Sequence, residues 1–140
     1  AVDEAYLISK KERLNFFPLY FDVSNPSSNI GWWQRERKGF IERLNFDTVL
    51  ALAFEHHLAI AKNIPLEDVI NWITSLAPKG IIEFVPKNDQ TIQSMITLKG
   101  DIFPNYDLKN FKKFLSNKTK ITSEQIVSKS GRTLFSFELQ

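Results

Sequence analysis

A chain of 140 residues that is 43% hydrophobic, with twelve Phe, three Tyr and three Trp, can fill the core of one ordinary domain. Its formal charge of +2 is a milder basic bias than nucleic-acid modules usually carry, so nucleic acid is an allowed partner that composition does not indicate. The absence of cysteine excludes disulfide scaffolds, thiolate metal sites and cysteine nucleophiles, and it suits a reducing, cytoplasmic setting.

The opening "AVDEAYLISKKERLNFF" carries acids before lysines, the reverse of a secretion signal, and it lacks an initiator Met. It reads as a processed chain or one that starts within a longer protein. "VDEAYLISKKER" is a predicted helix, with Asp3 and Glu4 early and Lys10, Lys11 and Arg13 late, as the helix dipole favours. "NFFPLYFDV" is a predicted strand ending near Asp22, and "SNPSSNIGWW" a loop. "QRERKGFIERL" is a predicted helix weakened by Gly39. "FDTVLALAF", apolar on both faces, has the pattern of a buried parallel strand.

Beyond it, "PLEDVINWITSL" is an amphipathic helix with Pro65 at its first position and Val69, Ile70, Trp72, Ile73 and Leu76 on the apolar side. "GIIEFVP" is a strand closed by Pro86, and "DQTIQSMITLK" a helix capped by Asp89 and stopped by Gly100. "DLKNFKKFLSNK" is a helix with Leu108, Phe111, Phe114 and Leu115 inward. "KITSEQIVSK" and "RTLFSFEL" alternate with period two around Ser130 and Gly131, the mark of an antiparallel hairpin. No apolar run approaches the ~20 residues of a membrane span. The expected fold is a single α/β domain over residues 1–140, its sheet mostly parallel with an antiparallel end.

Parallel strands followed by helices and closed by such a hairpin resemble the C-terminal part of a class I S-adenosylmethionine (SAM) dependent methyltransferase. "PLYFDVSNPSSNIGW" resembles the third-strand segment of one bacterial group that includes host-specific nodulation proteins. "ERLNFDTVLALAFEHHLAIAKNIPLEDV" is similar to its fourth strand and next helix, "GIIEFVPKND" to its fifth strand, and "DIFPNYDLKNF" and "SGRTLFSF" to its closing segments. The resemblance runs from about Leu14 to the end. It implies a partial Rossmann-like methyltransferase sheet that lacks the first two strands. The glycines stand at 31, 39, 80, 100 and 131, and none forms the Gly-x-Gly loop that would let backbone approach the cofactor. SAM is thus the implied cofactor of an intact enzyme, and this chain alone is expected to bind it poorly. The strand ending at Asp22 would lose both its neighbours, so a homodimer completing the sheet is one expected arrangement.

In open α/β sheets ligands sit beyond the carboxyl ends of strands. The resemblance places Asp22, where the family has an acid near the adenine amino group, on the cofactor side with Val23, Trp32, Ala53 and Phe54. Asp22 is also the residue a turn before "SNP" requires, and Trp32 and Trp33 could equally pack beneath the loop. Glu55, His56 and His57 leave the fourth-strand segment where donor and acceptor would meet, and a neutral His there could accept a proton. Neighbouring helix positions point ~100° apart, so one His is a cap or packing residue. Adjacent histidines chelate one ion poorly, and the paired glutamates, three residues apart, of metal-using small-RNA methyltransferases are absent, Leu52 standing three before Glu55, so no metal is expected. Glu83, inside an apolar strand, needs a partner or a pocket. Lys87 and Tyr106 are assigned to the acceptor side, with Asp89 a helix cap and Asp101 a flap residue beside Tyr106. Arg35, Arg37, Lys38, Lys109, Lys112 and Lys113 read as a solvated face, or as an RNA contact if they share a cleft. The expected function is methyl transfer to an unidentified acceptor by the whole protein; the alternatives are a non-catalytic α/β module and an RNA-binding domain.

Overall fold

The computed structural model describes the fold of residues 1–140 and the side chains of all but residues 98 and 99. The chain divides into two compact units, residues 1–42 and residues 43–140.

In the first unit, helix α1 (Val2–Lys11) forms where the acidic and basic ends predict it. Its buried Ser9 hydroxyl turns toward the carbonyls of Leu14 and Phe16, which folds the chain back after the helix. The strand predicted over residues 16–23 is absent: the segment has no ladder partner, and Pro18 has no N–H to offer one. The segment ends in a turn, where the Asp22 carboxylate accepts from the Ser24 N–H at 3.0 Å and the Ser24 hydroxyl at 2.7 Å. The Phe21 and Phe40 rings stack at 4.0 Å. A short 3₁₀ turn (Trp32–Gln34) sits in a loop closed by paired backbone bonds between Ile30 and Arg37. The long helix expected over residues 34–44 shrinks to the single turn α2 (Phe40–Arg43), because Gly39 and a left-handed Gln34 (φ 57°) both oppose helix.

The second unit is a four-stranded sheet with helices. Strand β1 (Val49–Ala51) is followed by a π-helical turn (His57–Ala61) and α3 (Leu66–Ser75). Strand β2 (Lys79–Phe84), α4 (Gln90–Lys99), α5 (Leu108–Ser116), β3 (Thr119–Ile126) and β4 (Thr133–Leu139) complete it. The spatial order is β1-β2-β4-β3. β1 runs parallel to β2, and β4 lies between β2 and β3, antiparallel to both. The expected α/β sheet with an antiparallel closing hairpin is what the chain forms; β1, β2 and β3 run in one direction and β4 in the other, so one of the three pairings is parallel and two are antiparallel.

Details depart from the sequence reading. β1 covers three residues instead of the whole apolar run. It has a partner on one side only, and Leu50 and Leu52 are exposed, so burial of both faces does not hold. Pro65 sits just before α3 instead of inside its first turn. On α5, Phe111 and Leu115 are buried, but Phe114, predicted inward, is half-buried and Leu108 is exposed. Asp89 caps α4 by accepting the Thr91 N–H, and Gly100, at φ 80°, stops it. Gly80 is required by close approach: a Cβ there would lie 2.4 Å from the Val49 carbonyl oxygen and 2.9 Å from the Phe137 ring. The core is built by Ile82, Phe84 and Val85 from β2 and its end, Phe135 and Phe137 from β4, Phe111 and Leu115 from α5, and Ile70 and Ile73 from α3.

Candidate functional site

The carboxyl ends of β1 and β2 gather the buried ionisable side chains Glu55, His56, Glu83 and Asp89. β1 leaves the sheet through Ala53, held in the left-handed region at φ 48°. That conformation is strained for a residue with a Cβ. It persists because the Ala53 N–H donates to Glu83 Oε2 at 2.7 Å. Glu83 itself is nearly buried, and its other oxygen lies 3.5 Å from the Arg132 guanidinium. The acid inside the apolar strand therefore has two partners, as its burial demands.

Arg132 is the centre of a second set of contacts. Its Nε and Nη2 each donate to Asp89 at 2.8 Å, and Nη2 also reaches the Thr91 hydroxyl at 3.1 Å. The Ser130 hydroxyl donates to the same carboxylate at 2.6 Å. The Arg132 guanidinium, first, holds the Asp89 carboxyl well below the usual carboxylate range, against the opposing effect of its burial. One side chain thus ties the hairpin turn, the α4 cap and the end of β2 together.

Glu55 follows Phe54 and is fully buried. Its Oε1 accepts the Val85 N–H at 3.0 Å. The Tyr106 hydroxyl lies 2.9 and 3.0 Å from the two Glu55 oxygens and 2.7 Å from the Val85 carbonyl oxygen. Burial pushes the Glu55 carboxyl up to about 8; the bonds from Val85 and Tyr106 only partly oppose this, and the Glu83 charge adds to it. Burial likewise drives the Tyr106 hydroxyl far above its ordinary range. His56 is buried with Nδ1 unpartnered, 4.0 Å from Glu55 Oε2. Burial first, then the neighbouring His57 and Arg132, push His56 down to about 4. At neutral pH the Glu55–His56 contact joins two uncharged groups and is not an ion pair. His57 is exposed, with its ring 4.3 Å from that of His56. Of the two histidines it is the one a substrate can reach.

Lys87 is committed within the loop that follows β2. Its ammonium donates to both Asp101 oxygens at 2.7 and 2.9 Å and to the Phe103 carbonyl at 2.8 Å. The Lys87 ammonium, first, lowers the Asp101 carboxyl. This anchor and the Tyr106 contact hold the 101–107 segment at both ends. Between that segment and the start of α3 lies an open cavity of about 240 Å³, lined by residues 102–106 on one side and by 63–66 with Ala59 on the other.

The structure thus brings Ala53, Glu55, His56, Glu83 and Tyr106 into one neighbourhood. Phe54 is half-buried there. Asp22, Val23 and Trp32 belong to the first unit. Asp22 is exposed and Val23 half-buried. Trp32 and Trp33 are 82% and 75% exposed, with the Arg35 guanidinium 4.5 Å over the Trp33 ring. Sequence reasoning named Ser130 only as a turn residue and did not single out Arg132, Asn63 or Asn105. For Arg132 a signal existed: a buried acid at a strand end needs a cation, and Arg132 opens the last strand. Among the described residues no cluster of His, Asp and Glu could hold a metal ion, and no helix is long and apolar enough to cross a membrane.

No family model matches the sequence. The chain is 50% identical over 138 residues to nodulation protein NoeA of Rhizobium meliloti (strain 1021), a match that covers 99% of this chain and 29% of NoeA. It therefore spans less than a third of the length of that curated relative. Among solved structures it is similar to an rRNA methylase from Escherichia coli, with a TM-score of 0.54, 9% identity, and coverage of 99% of this chain and 44% of the methylase. At that identity the likeness is one of fold.

Proposed function

We propose that this chain is the C-terminal part of a SAM-dependent methyltransferase whose methyl acceptor is unidentified. The observation that carries the reading is the placement of β4, antiparallel to both neighbours, between β2 and β3. The fold likeness to a methylase and the gathering of polar groups beyond the β1 and β2 ends support it.

SAM, when bound, would supply an electrophilic methyl group, which leaves the protein chiefly the task of alignment. The residues present fit only part of such a site. Asp22, the acid that the resemblance sets against an adenine amine, is engaged by the Ser24 N–H and hydroxyl. No glycine cluster follows a strand, and Gly80 is packed against Val49 and Phe137. This chain by itself is therefore expected to hold SAM weakly. On the acceptor side, exposed His57 is the group available to take a proton from a nucleophilic oxygen or nitrogen. Glu55 does not serve as that base, being uncharged and enclosed.

The test is transfer of labelled methyl from SAM by full-length NoeA against extracts of candidate acceptors, with the His57 equivalent replaced by Ala. The reading predicts transfer that falls about 10²-fold or more in the variant. Unchanged transfer would remove His57 from the chemistry; SAM-independent behaviour of NoeA would remove the reading. A second reading, a single-stranded nucleic-acid module, draws on the exposed Trp32 and the Trp33–Arg35 stack. Retention of this chain on RNA at physiological salt, lost in Trp33→Ala, would favour it.

A further inference from the structure

We propose that the cavity between the start of α3 and the 102–106 segment is a binding site for a small uncharged aromatic molecule, and that the Glu55–Tyr106 contact is the clasp that holds its wall. The site stands whether or not the whole protein transfers a methyl group.

The lining sets the ligand's chemistry. Ile64, Pro65, Leu66, Ile102, Phe103 and Pro104 give it apolar walls, and no charged side chain lines it. Asn63 and Asn105 are the polar residues of its lining beyond Tyr106. Lys87, which anchors the 101–107 segment, is committed to Asp101 and the Phe103 carbonyl, and Lys62, exposed beside Asn63, is outside the lining, so the cavity itself offers an anion no cationic wall. Glu67 and Asp68, in the first turn of α3, are exposed and outside the lining. A dry cavity of ~150 Å³ holds benzene in another protein. The volume here, about 240 Å³, suits one or two fused rings with a hydrogen-bonding edge.

The clasp follows from a proton count. The 2.7 Å contact from Tyr106 to the Val85 carbonyl uses the phenol's single proton, since a carbonyl only accepts. That one proton faces three oxygens, the two of Glu55 and the Val85 carbonyl, and a second proton carried by Glu55 lets every one of these contacts be a hydrogen bond. The result is a closed ring: Val85 N–H to Glu55, Glu55 O–H to Tyr106, Tyr106 O–H to the Val85 carbonyl. It seats Tyr106, the last residue of the cavity wall. The groups facing Glu55 agree with a neutral acid. Glu83 from β2 disfavours its charge, His56 is uncharged, and the cation Arg132 is engaged by Asp89 and Glu83. Loss of the proton would turn the phenol's one hydrogen from the Val85 carbonyl to the carboxylate, which strands that buried carbonyl and releases Tyr106 from the end of β2.

The experiment is an amide NMR titration of the chain at pH 7 with indole and, separately, with indole-3-carboxylate. Indole is expected to give saturable shifts confined to residues 59–66 and 102–106, and the carboxylate to bind at least about tenfold more weakly. Shifts centred on Trp32 and Trp33, shifts spread without saturation, equal response to the anion, or no shifts would each overturn the site. Tyr106→Phe should weaken indole about tenfold by orphaning the Val85 carbonyl and Glu55. Glu55→Gln, whose amide can donate to Tyr106 and accept from Val85, should bind indole as the natural chain does and show no loss of affinity from pH 7 to pH 9, whereas the natural chain loses it. A ¹³C shift showing Glu55 already ionised at pH 7 would overturn the clasp.

Discussion

Residues 1–42 and residues 43–140 are both rich in aromatic side chains, and they treat them in opposite ways. In the first unit Phe16, Phe17, Tyr20, Trp32 and Trp33 are all more than half exposed. In the second, Phe84, Phe111, Phe135 and Phe137 are buried with rings at 5.1 to 5.2 Å along the chain from Phe84 through Phe111 to Phe135. The difference lies in the backbone. β2 and β4 satisfy each other's N–H and C=O groups over six residue pairs, so their inward side chains can be dehydrated without leaving polar groups stranded. The 16–23 segment has no such ladder, and its rings have no sheet on which to pack. Apolar composition supplies area; pairing decides whether that area is removed from water.

The contrast can be tested from its strongest point downward. Phe135→Ala should cost about 3–5 kcal/mol in denaturant unfolding, and Trp32→Ala about 0.5 kcal/mol or less. Comparable losses at both would abolish the distinction between the units. Arg132→Met should cost about 2 kcal/mol, because it strips Asp89 and Glu83 of a shared partner while leaving partial solvent access. Next comes pH. Folded Glu55 titrates near 8, above its ordinary 4.5, so between these values the native state keeps a proton that the unfolded chain has released. Stability therefore falls as pH rises through that window. Folded His56 titrates near 4, below its ordinary 6.5, which acts in the opposite direction up to that point. The net decline should be visible from about pH 6.5 to 8, at about 1 kcal/mol per unit, and should flatten in Glu55→Gln. The smallest effect expected is from Ala53→Gly. Relief of the left-handed strain at φ 48° should leave stability unchanged or raise it by about 0.5–1 kcal/mol.

These features differ in how far the sequence announced them. The helices at residues 66–75 and 90–99 and the closing hairpin were legible because their signals are local: a Pro before the first turn, Asp89 and Gly100 at the ends, and a Ser-Gly turn between alternating runs. The run "NFFPLYFDV" looked like a strand because its residues suit one, but a strand exists only with a partner, and none pairs with it. β1 was overdrawn for the same reason. The position of Glu55, His56 and His57 at a strand's carboxyl end could be read from the chain. The contacts that set their chemistry could not. Glu55 meets Tyr106 across 51 positions, and Asp89 meets Arg132 across 43. Such pairs leave no periodic or neighbouring mark. Tyr106, assigned by resemblance to the acceptor side, proves to be buried against Glu55, and it reaches the cavity only as part of its wall.

The proposed methyltransferase reading requires a cofactor loop that the glycines at 31, 39, 80, 100 and 131 do not form. Calorimetric titration with SAM of this chain and of full-length NoeA measures that directly. The account predicts saturable binding by NoeA and none detectable by this chain. Tight binding by this chain alone, or none by NoeA, would contradict it.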